Sequence, residues 1–385
     1  MPKAAIYDPY LDTLGGGERY CLTVAEILLS QGWQVDLFWS GEKELVEQAM
    51  TRFSLKLDGL NIVPDIFGLK TTSIDQVEGQ SIEKFISHKT HSQSIITKYN
   101  ETKKYDLCFY LGDGSVPFLF AKKNIFHTQV PFTFKQNFKE KFITKLKSQF
   151  ISRVVYNSNF TSSFTPKNLS SKTIIVYPPV DIDQFTPDVP KQNIILSVGR
   201  FDNIMNSKKQ DILINVFSKF IAQNPKTDWK LVLMGGSLQS ESNNHYLIHL
   251  QNLAKNLPIE FIINPDFNKL KQIYSIGKIY WHAAGYGVNQ NEHPELCEHF
   301  GITPVEAMAS GLVPILINKG GLPEIITPGI DGYLWDDPSD LLAKTQLLIN
   351  TPDDFNKLQQ NAINTAQKFS KSIFETKILD IINSK

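Results

Sequence analysis

Glu298-His-Phe-Gly-Ile-Thr-Pro-Val-Glu306-Ala-Met-Ala-Ser-Gly311 sets two carboxylates eight residues apart across the start of a helix. Thr303 stands at the expected N-cap, Pro304 at the first helical position and Gly311 where the helix should stop. The first turn of such a helix offers unpaired backbone N–H groups and the positive end of the helix dipole, both suited to an anion. The flanking carboxylates suit hydroxyl groups. A ligand joining phosphate to many hydroxyls, such as a nucleotide-activated sugar, matches both features. Thr303-x-x-Glu306 has a second reading, a capping box in which Glu306 reaches back to the backbone N–H of Thr303. The spacing alone leaves both open.

Working outward, a chain of 385 residues is long enough for two α/β domains, each with its own core. Lys+Arg and Asp+Glu both total 39, so no global field argues for nucleic acid as a partner. Arginine is confined to Arg19, Arg52, Arg153 and Arg200, so most positive charge is lysine. Cys21, Cys108 and Cys297 form no Cys-x-x-Cys pair, which indicates neither a disulfide framework nor a thiolate metal site. A reducing cytoplasm is the expected setting. The N-terminus opens on a strand with no basic-plus-apolar leader, and no apolar run approaches the roughly 20 residues that cross a bilayer.

Short apolar runs alternate with helical patterns, which predicts parallel sheets. In the first half, strands are expected over 4–7, 35–38, 105–110, 124–127, 154–157 and 174–177, with an amphipathic helix over 18–29. Residues 70–100 are polar and mixed, with a helix expected around 78–99. The proline-rich segment 177–190 suits neither a helix nor a central strand and reads as the interdomain connection. A second series follows, with strands over 193–198, 229–234, 260–263, 278–282 and 313–317 and a helix over 209–222. Helices over 354–368 and 371–383 close the chain. The expected division is 1–178, a linker over 179–190, a second domain over 191–365 and a terminal helix within 366–385.

Several stretches carry chemistry at predicted strand ends. Leu14-Gly-Gly-Gly-Glu18 follows the first strand and opens the first helix, where glycines let backbone approach a phosphate. It is not Gly-x-Gly-x-x-Gly, and no acidic residue closes the second strand, which argues against a dinucleotide site; a simple tight turn is the other reading. Ser197-Val-Gly-Arg200 ends a strand and Ser207-Lys-Lys-Gln-Asp211 begins the next helix. His127, in Phe126-His-Thr-Gln-Val-Pro131, lies at the C-terminal end of a strand, the edge where open α/β sheets bind ligands. Tyr280-Trp-His282-Ala-Ala-Gly-Tyr-Gly287 ends another strand. Gly235-Gly236 and Asn264-Pro-Asp266 are candidate base- and phosphate-contacting turns, and Gly320-Gly-Leu-Pro-Glu324 reads as a helix start. His293, Cys297, Glu298 and His299 fit no zinc spacing, so no metal is expected. Residues 135–153 interleave lysines with Phe138, Phe142, Ile143, Leu146, Phe150 and Ile151. Such a segment lies on an anionic membrane surface or turns an apolar stripe to its own core.

Glu298 and Glu306, the intervening Phe300-Gly301-Ile302 and the following Ala-Met-Ala-Ser-Gly311 resemble the Glu-x7-Glu signature of glycosyltransferase family 4. The likeness runs from about residue 3 to about 345, with the other motifs in the same order. Gly15-Gly-Gly-Glu-Arg19 and Tyr177-Pro-Pro-Val-Asp181 are faintly similar to the α-mannosyltransferases that extend lipid-linked oligosaccharides. The resemblance implies an α/β protein of GT-B architecture, two Rossmann-like domains whose parallel sheets face across a cleft. The first would be acceptor-side and the second would bind a nucleotide-sugar, with the last helix crossing back to the first.

It further implies a retaining, metal-independent enzyme acting on a glycan, lipid-linked or small-molecule hydroxyl, with no cofactor. On these positions Glu306 would hold the ribose, while Glu298 and the backbone of Phe300, Gly301 and Ile302 would hold the sugar. Arg200 and Lys208, with Lys209 as a substitute, would grip the diphosphate beside Gly16 and Gly17, and the insertion 202–206 lengthens the usual spacer between them. His127 would lie near the anomeric centre, with His282 and Glu18 on the acceptor side. The expected location is cytoplasmic, with the 135–153 segment on the membrane face. Two other readings share the architecture: a non-catalytic sugar-nucleotide-binding protein, and a different enzyme such as a sugar-nucleotide epimerase or a sugar phosphorylase.

Overall fold

The structure, a computed structural model, describes residues 1–68, 92–112, 115–131, 138–166, 169–187, 189–202, 207–237 and 241–384. The expected helix around 78–99 falls mostly outside these residues; its end is a helix at Ile95–Thr102. The chain divides into two compact units, Met1–Pro179 with Ser372–Lys385, and Val180–Lys371.

The first unit is built on β1 (Lys3–Tyr7), β2 (Gln34–Phe38), β3 (Asn61–Val63), β4 (Leu107–Leu111), β5 (Lys123–Thr128), β6 (Arg153–Tyr156) and β7 (Thr173–Ile175). All pair in parallel, in the order β3-β2-β1-β4-β5-β6-β7. Strands covered on both faces read as unbroken apolar runs, and Ala4-Ala-Ile-Tyr7 and Leu107-Cys-Phe-Tyr-Leu111 are buried throughout. The crossovers carry α1 (Gly16–Ser30), α2 (Glu44–Phe53), α3 (Ile95–Thr102), α4 (Phe138–Ser148) and α5 (Asn159–Ser162). Tyr20, Val24, Ile27 and Leu28 of α1 recur at helical spacing and join the sheet core.

The second unit has β8 (Ile194–Val198), β9 (Lys230–Gly235), β10 (Ile259–Ile263), β11 (Ile279–His282), β12 (Val313–Ile317) and β13 (Tyr333–Trp335). Its parallel order is β10-β9-β8-β11-β12-β13, the doubly wound pattern in which chain direction reverses at one place, here between β8 and β11. Its helices are α6 (Gln210–Gln223), α7 (Glu241–Leu253), α8 (Phe267–Ile276), α9 (Ile302–Ala309), α10 (Pro338–Asn350) and α11 (Pro352–Ala366).

The chain leaves the second unit near Lys371 and α12 (Lys371–Asn383) belongs to the first. Phe374, Ile378, Ile381 and Ile382 on its inner face enter the first unit's core, Phe374 meeting Tyr20 edge-on at 4.7 Å. Burying each such side chain is worth about 1.5–3 kcal/mol. At its C-terminal end the Lys123 ammonium donates to the carbonyls of Ile381 (2.8 Å), Ile382 (2.9 Å) and Ser384, a cation where the helix dipole favours one.

The expected linker over 179–190 is not a free connection. From Val180 it is part of the second unit: Val180, Ile182 and Phe185 are buried, a 3-10 turn spans Ile182–Gln184, and Val180 bridges Ser370. Its prolines set an extended path, but its apolar residues supply core.

Candidate functional site

In the second unit, the exits of β8 and β11 flank the reversal of strand order, where open α/β sheets form a ligand crevice. Gly199 and Arg200 leave β8, His282 ends β11, and Lys208 lies just ahead of α6. Glycines let this edge close up. A side-chain carbon on Gly235 would fall 2.0 Å from the Gly199 carbonyl oxygen, and one on Gly199 would fall 2.5 Å from Cγ of Lys208. The bare Gly199 backbone is therefore what lets the Lys208 chain lie across the strand exit.

Lys208 Nζ donates to Glu298 Oε2 at 2.5 Å, and the two side chains are only 15% and 16% exposed. His282 Nε2 lies 3.2 Å from the same oxygen, without the alignment of a hydrogen bond. The Ala284 N–H donates to His282 Nδ1 at 3.3 Å, so the proton of the neutral ring sits on Nε2, facing the carboxylate. Burial lowers the His282 pKa against the opposing pull of Glu298. For Glu298, burial works upward, but Lys208 and His282 outweigh it and hold the carboxyl well below its ordinary range. The result is a nearly buried anion paired with one cation and faced by the His282 ring nitrogen at 3.2 Å.

The backbone around Glu298 is fixed from the β12 side. Gly321 N donates to the Glu298 carbonyl at 2.8 Å. Side-chain carbons on Gly320 and Gly321 would come within 2.2 Å of the Glu298 and His299 carbonyl oxygens respectively. Gly320 has φ +62°, in the left-handed region. The expected helix start there is a 3-10 turn, Leu322–Glu324.

α9 begins two residues earlier than the sequence predicts. Gly301, at φ +106°, is the N-cap, and Ile302, Thr303 and Pro304 form the first turn. Thr303 is drawn inward instead of capping: its hydroxyl accepts from Tyr280 (2.8 Å) and donates to the Val198 carbonyl (3.4 Å). Gly311 ends the helix as expected, at φ +76°, with Gly311 N to Met308 O and Leu312 N to Ala307 O closing a Schellman motif. The Glu306 carboxylate, 7% exposed, accepts from the Tyr274 hydroxyl of α8 at 3.1 Å. Phe300 is buried.

Arg200 is exposed, and among the described residues its guanidinium has no ion-pair or hydrogen-bond partner. Its carbonyl accepts from Gln210 Nε2 at 2.9 Å, and Gln210 in turn accepts from the Tyr246 hydroxyl at 3.1 Å. Of the two candidate lysines, Lys208 faces Glu298, whereas Lys209 takes the left-handed N-cap position of α6. Most of the insertion 202–206 lies outside the described residues. Asn264 accepts from Ser237 N at 2.8 Å, bracing the turn after β9, and Asp266 caps α8 through Lys269 N at 2.7 Å.

In the first unit, Gly15 is the N-cap of α1, so Gly16 and Gly17 sit in its first turn. Glu18, an acceptor-side candidate, is buried, and its Oε2 accepts from Gly15 N (2.5 Å) and Thr13 Oγ1 (2.8 Å). It closes the glycine turn on itself. Burial raises its pKa, against those two hydrogen bonds, and burial with the neighbouring Glu18 raises that of Asp8.

His127 is fully buried, stacked on Tyr20 at 3.9 Å. Its Nδ1 donates to the Val155 carbonyl at 2.9 Å and its Nε2 accepts from Gln129 Nε2 at 2.9 Å. Burial pushes its pKa down to about 3. Both ring nitrogens are thus occupied, and direct catalytic contact, as anticipated for His127, would require Gln129 to swing away. Gln129 itself fits because Gly17 has no side chain: a carbon there would lie 3.1 Å from Gln129 Oε1.

His282, expected on the acceptor side, lies in the second unit at the end of β11. It groups with Glu298 and Lys208. Tyr274 was not anticipated, and the partners of Gln210 and Gly321, which lie in stretches the sequence singled out, were not either, since nothing in the local sequence reveals partners that are distant along the chain.

A family profile described as "Glycosyl transferases group 1" matches residues 181–369, the span that carries Arg200, Lys208, His282, Glu298 and Glu306. The match spans nearly the whole of the second unit. Curated relatives carry the name GDP-Man:Man(3)GlcNAc(2)-PP-Dol alpha-1,2-mannosyltransferase. The human protein is 25% identical over 98% of this chain and 86% of its own length. The Xenopus tropicalis protein is 30% identical over 54% of this chain and 43% of its own. The Dictyostelium discoideum protein is 27% identical over 62% and 48%. The match thus spans about half or less of several of these relatives.

The fold of the whole chain is that of GT-B glycosyltransferases. A glycosyltransferase structure from Rickettsia africae superposes with a TM-score of 0.71 at 19% identity, covering 100% of this chain and 99% of that one. Anabaena Alr3699/HepE in complex with UDP and glucose gives 0.65 at 17% identity, covering 99% of each.

Proposed function

We propose that the chain is a retaining, metal-independent glycosyltransferase. It would move a sugar, mannose in the first instance, from a nucleotide-sugar to a hydroxyl of a glycan, lipid-linked or small-molecule acceptor. The observation that carries this reading is the Lys208–Glu298–His282 cluster at the strand reversal of the second sheet. Mannose and a GDP donor are taken from the names of the curated relatives.

In this reading Arg200 and Lys208 meet the charge that builds on the diphosphate as the glycosidic bond breaks. Fixed cations in a dry crevice stabilise that charge with no metal and little reorganisation. Lys208 leaves Glu298 for the phosphate; His282 Nε2–H then faces Glu298 while it takes the sugar hydroxyls beside the 300–302 backbone. Glu306, steadied by Tyr274, takes the ribose. The bond from the anomeric carbon to phosphate oxygen breaks. The acceptor oxygen bonds to that carbon on the same face, and its proton passes to the departing diphosphate. Gly16 and Gly17 line the first unit's contribution, Glu18 holds their turn on the acceptor side, and His127 serves as a positioning residue through Gln129. Among the described residues no helix is long and apolar enough to cross a membrane. The proposed location is the cytoplasmic membrane face.

The test is incubation with GDP-mannose and a mannose-terminated lipid-linked acceptor, with and without EDTA, following GDP release and product anomer by NMR. The reading predicts free GDP, an α-mannoside and no effect of EDTA. A β-linked product would overturn retention, loss of rate with EDTA would overturn metal independence, and an isomerised sugar nucleotide would indicate an epimerase. Donor binding without any release would make the chain a binding protein.

A further inference from the structure

The helix α4 is inside out. Phe142, Ile143, Leu146 and, just beyond the helix, Phe150 are exposed, Phe142 by 65%, while Thr144 and Ser148 are buried. A helix that serves only its own core turns the apolar side inward. Phe142, Leu146 and Phe150 recur every fourth residue, so they form one row along the outward face. A second exposed apolar face lies on α3, where Ile95, Ile96 and Tyr99 point outward.

Aromatic rings join the two faces. Tyr99 meets Phe120 at 5.3 Å, Phe120 meets Phe150 at 5.2 Å, and Phe150 meets Phe118 at 6.1 Å. Phe118 and Phe120 are half-buried and come from the β4–β5 connection. The border is cationic: Lys139, Lys141 and Lys145 are exposed, Lys147 Nζ lies 5.2 Å over the Phe118 ring, and Lys103 Nζ lies 4.6 Å over Tyr99. Glu101 on α3 is paired with Lys104 at 2.8 Å.

We propose that this α3–α4 surface docks the protein onto an anionic lipid bilayer. The Phe142, Leu146 and Phe150 row and the Ile96 and Tyr99 tips enter the headgroup boundary, and the lysines meet lipid phosphates. Apolar groups framed by lysine suit such an interface, where lipid-linked chemistry also takes place. Pairing of two copies through the same face would bring lysine borders together, because a two-fold interface is self-complementary. The surface adds a location to the lipid-linked acceptor reading but stands on α3 and α4 alone, so each can fail without the other.

The test is flotation of the full chain with phosphatidylcholine vesicles and with vesicles containing phosphatidylglycerol, at low and high salt, without donor or acceptor. Binding to the anionic vesicles, weakened by salt, is expected. Phe142→Ser/Leu146→Ser/Phe150→Ser should abolish it. Lys139→Gln/Lys141→Gln/Lys145→Gln should weaken it on the order of a hundredfold. The lysine variant should keep the wild-type melting temperature, because its side chains are exposed, and Phe142→Ser alone, at the most exposed position of the row, should weaken binding without the loss of the Phe150 ring contacts. Absence of vesicle binding, equal binding to neutral vesicles, or insensitivity to these variants would overturn the proposal. So would a concentration-dependent dimer, lost in the Phe142 variant, in place of vesicle binding.

Discussion

Replacing Lys208 by Met removes the lysine that pairs with Glu298, the one Lys or Arg within ion-pair distance of it among the described residues, while keeping the aliphatic stem. Glu298 then remains a nearly buried carboxylate facing only a neutral imidazole. Breaking a buried pair from one side costs about 3–5 kcal/mol, because the surviving charge is left without compensation. The residual 15% and 16% exposure of the two side chains and the nearby His282 place the expected loss at the lower end, about 3 kcal/mol. For a domain of this size that is a fall of roughly 6–12 °C in melting temperature.

Lys208→Met/Glu298→Gln removes both charges and should recover most of the loss, so the double-mutant cycle has a large favourable coupling. The pH dependence has a definite sign. The folded-state pKa of Glu298 is depressed, so its contribution is full above the ordinary value of 4.5 and is lost as pH falls through the lower folded value. In Lys208→Met that acid loss should begin at higher pH. Calorimetric melts of the four proteins at neutral pH would supply the cycle, and melts carried down to about pH 2, through the span below the ordinary carboxylate value on which this linkage acts, would supply the acid limb. A Lys208→Met cost below about 0.5 kcal/mol, the level of an exposed pair, with no coupling to Glu298→Gln, would refute the reasoning.

His127 has its pKa lowered from 6.5 to about 3, so below pH 6.5 the unfolded chain takes up a proton that the folded ring refuses. Stability should fall by roughly 4 kcal/mol between those two values, and His127→Asn should flatten that limb in acid melts. Gly321→Ala forces a methyl toward the His299 carbonyl and should cost about 1–3 kcal/mol while displacing the Glu298 backbone; melting and donor titration would report both. Tyr274→Phe removes the hydroxyl that donates to Glu306, a loss of about 1.5–3 kcal/mol. It should weaken nucleotide-sugar binding by about tenfold or more in calorimetric titration, and unchanged affinity would disconnect Tyr274 from the site.

Long apolar runs made most strands legible. Ala4-Ala-Ile-Tyr7 and the run after Lys278 could be little else than buried strands, and both lie where the sequence places them. The three-residue strands Asn61–Val63 and Tyr333–Trp335 were missed, because so short a run carries no period. The start of α9 slipped by two residues because Thr303-Pro304 imitates an N-cap, whereas Gly301 wins through a left-handed φ that its sequence does not announce. Within the candidate site, residue types and strand ends were readable, but pairings were not. That His282 meets Glu298, or that Tyr274 meets Glu306, depends on strand order and on α8 packing beside α9. The periodicity of 135–153 was equally readable, but not its direction; only the fold reveals that Thr144 faces in and Phe142 out.

The central claim is that the β8–β11 edge of the second unit holds a nucleotide-sugar through Glu306, Arg200 and Lys208. Its most direct test is a thermal-shift panel of GDP-, UDP-, ADP- and dTDP-sugars without added metal, on the wild type and on Glu306→Gln. A ligand at 100 times its dissociation constant should add about 2.7 kcal/mol of stability. The account predicts a shift with one base, GDP first, that is lost or much reduced in Glu306→Gln while the variant's own melting temperature holds. No shift with any of the four, or an undiminished shift in the variant, would contradict it.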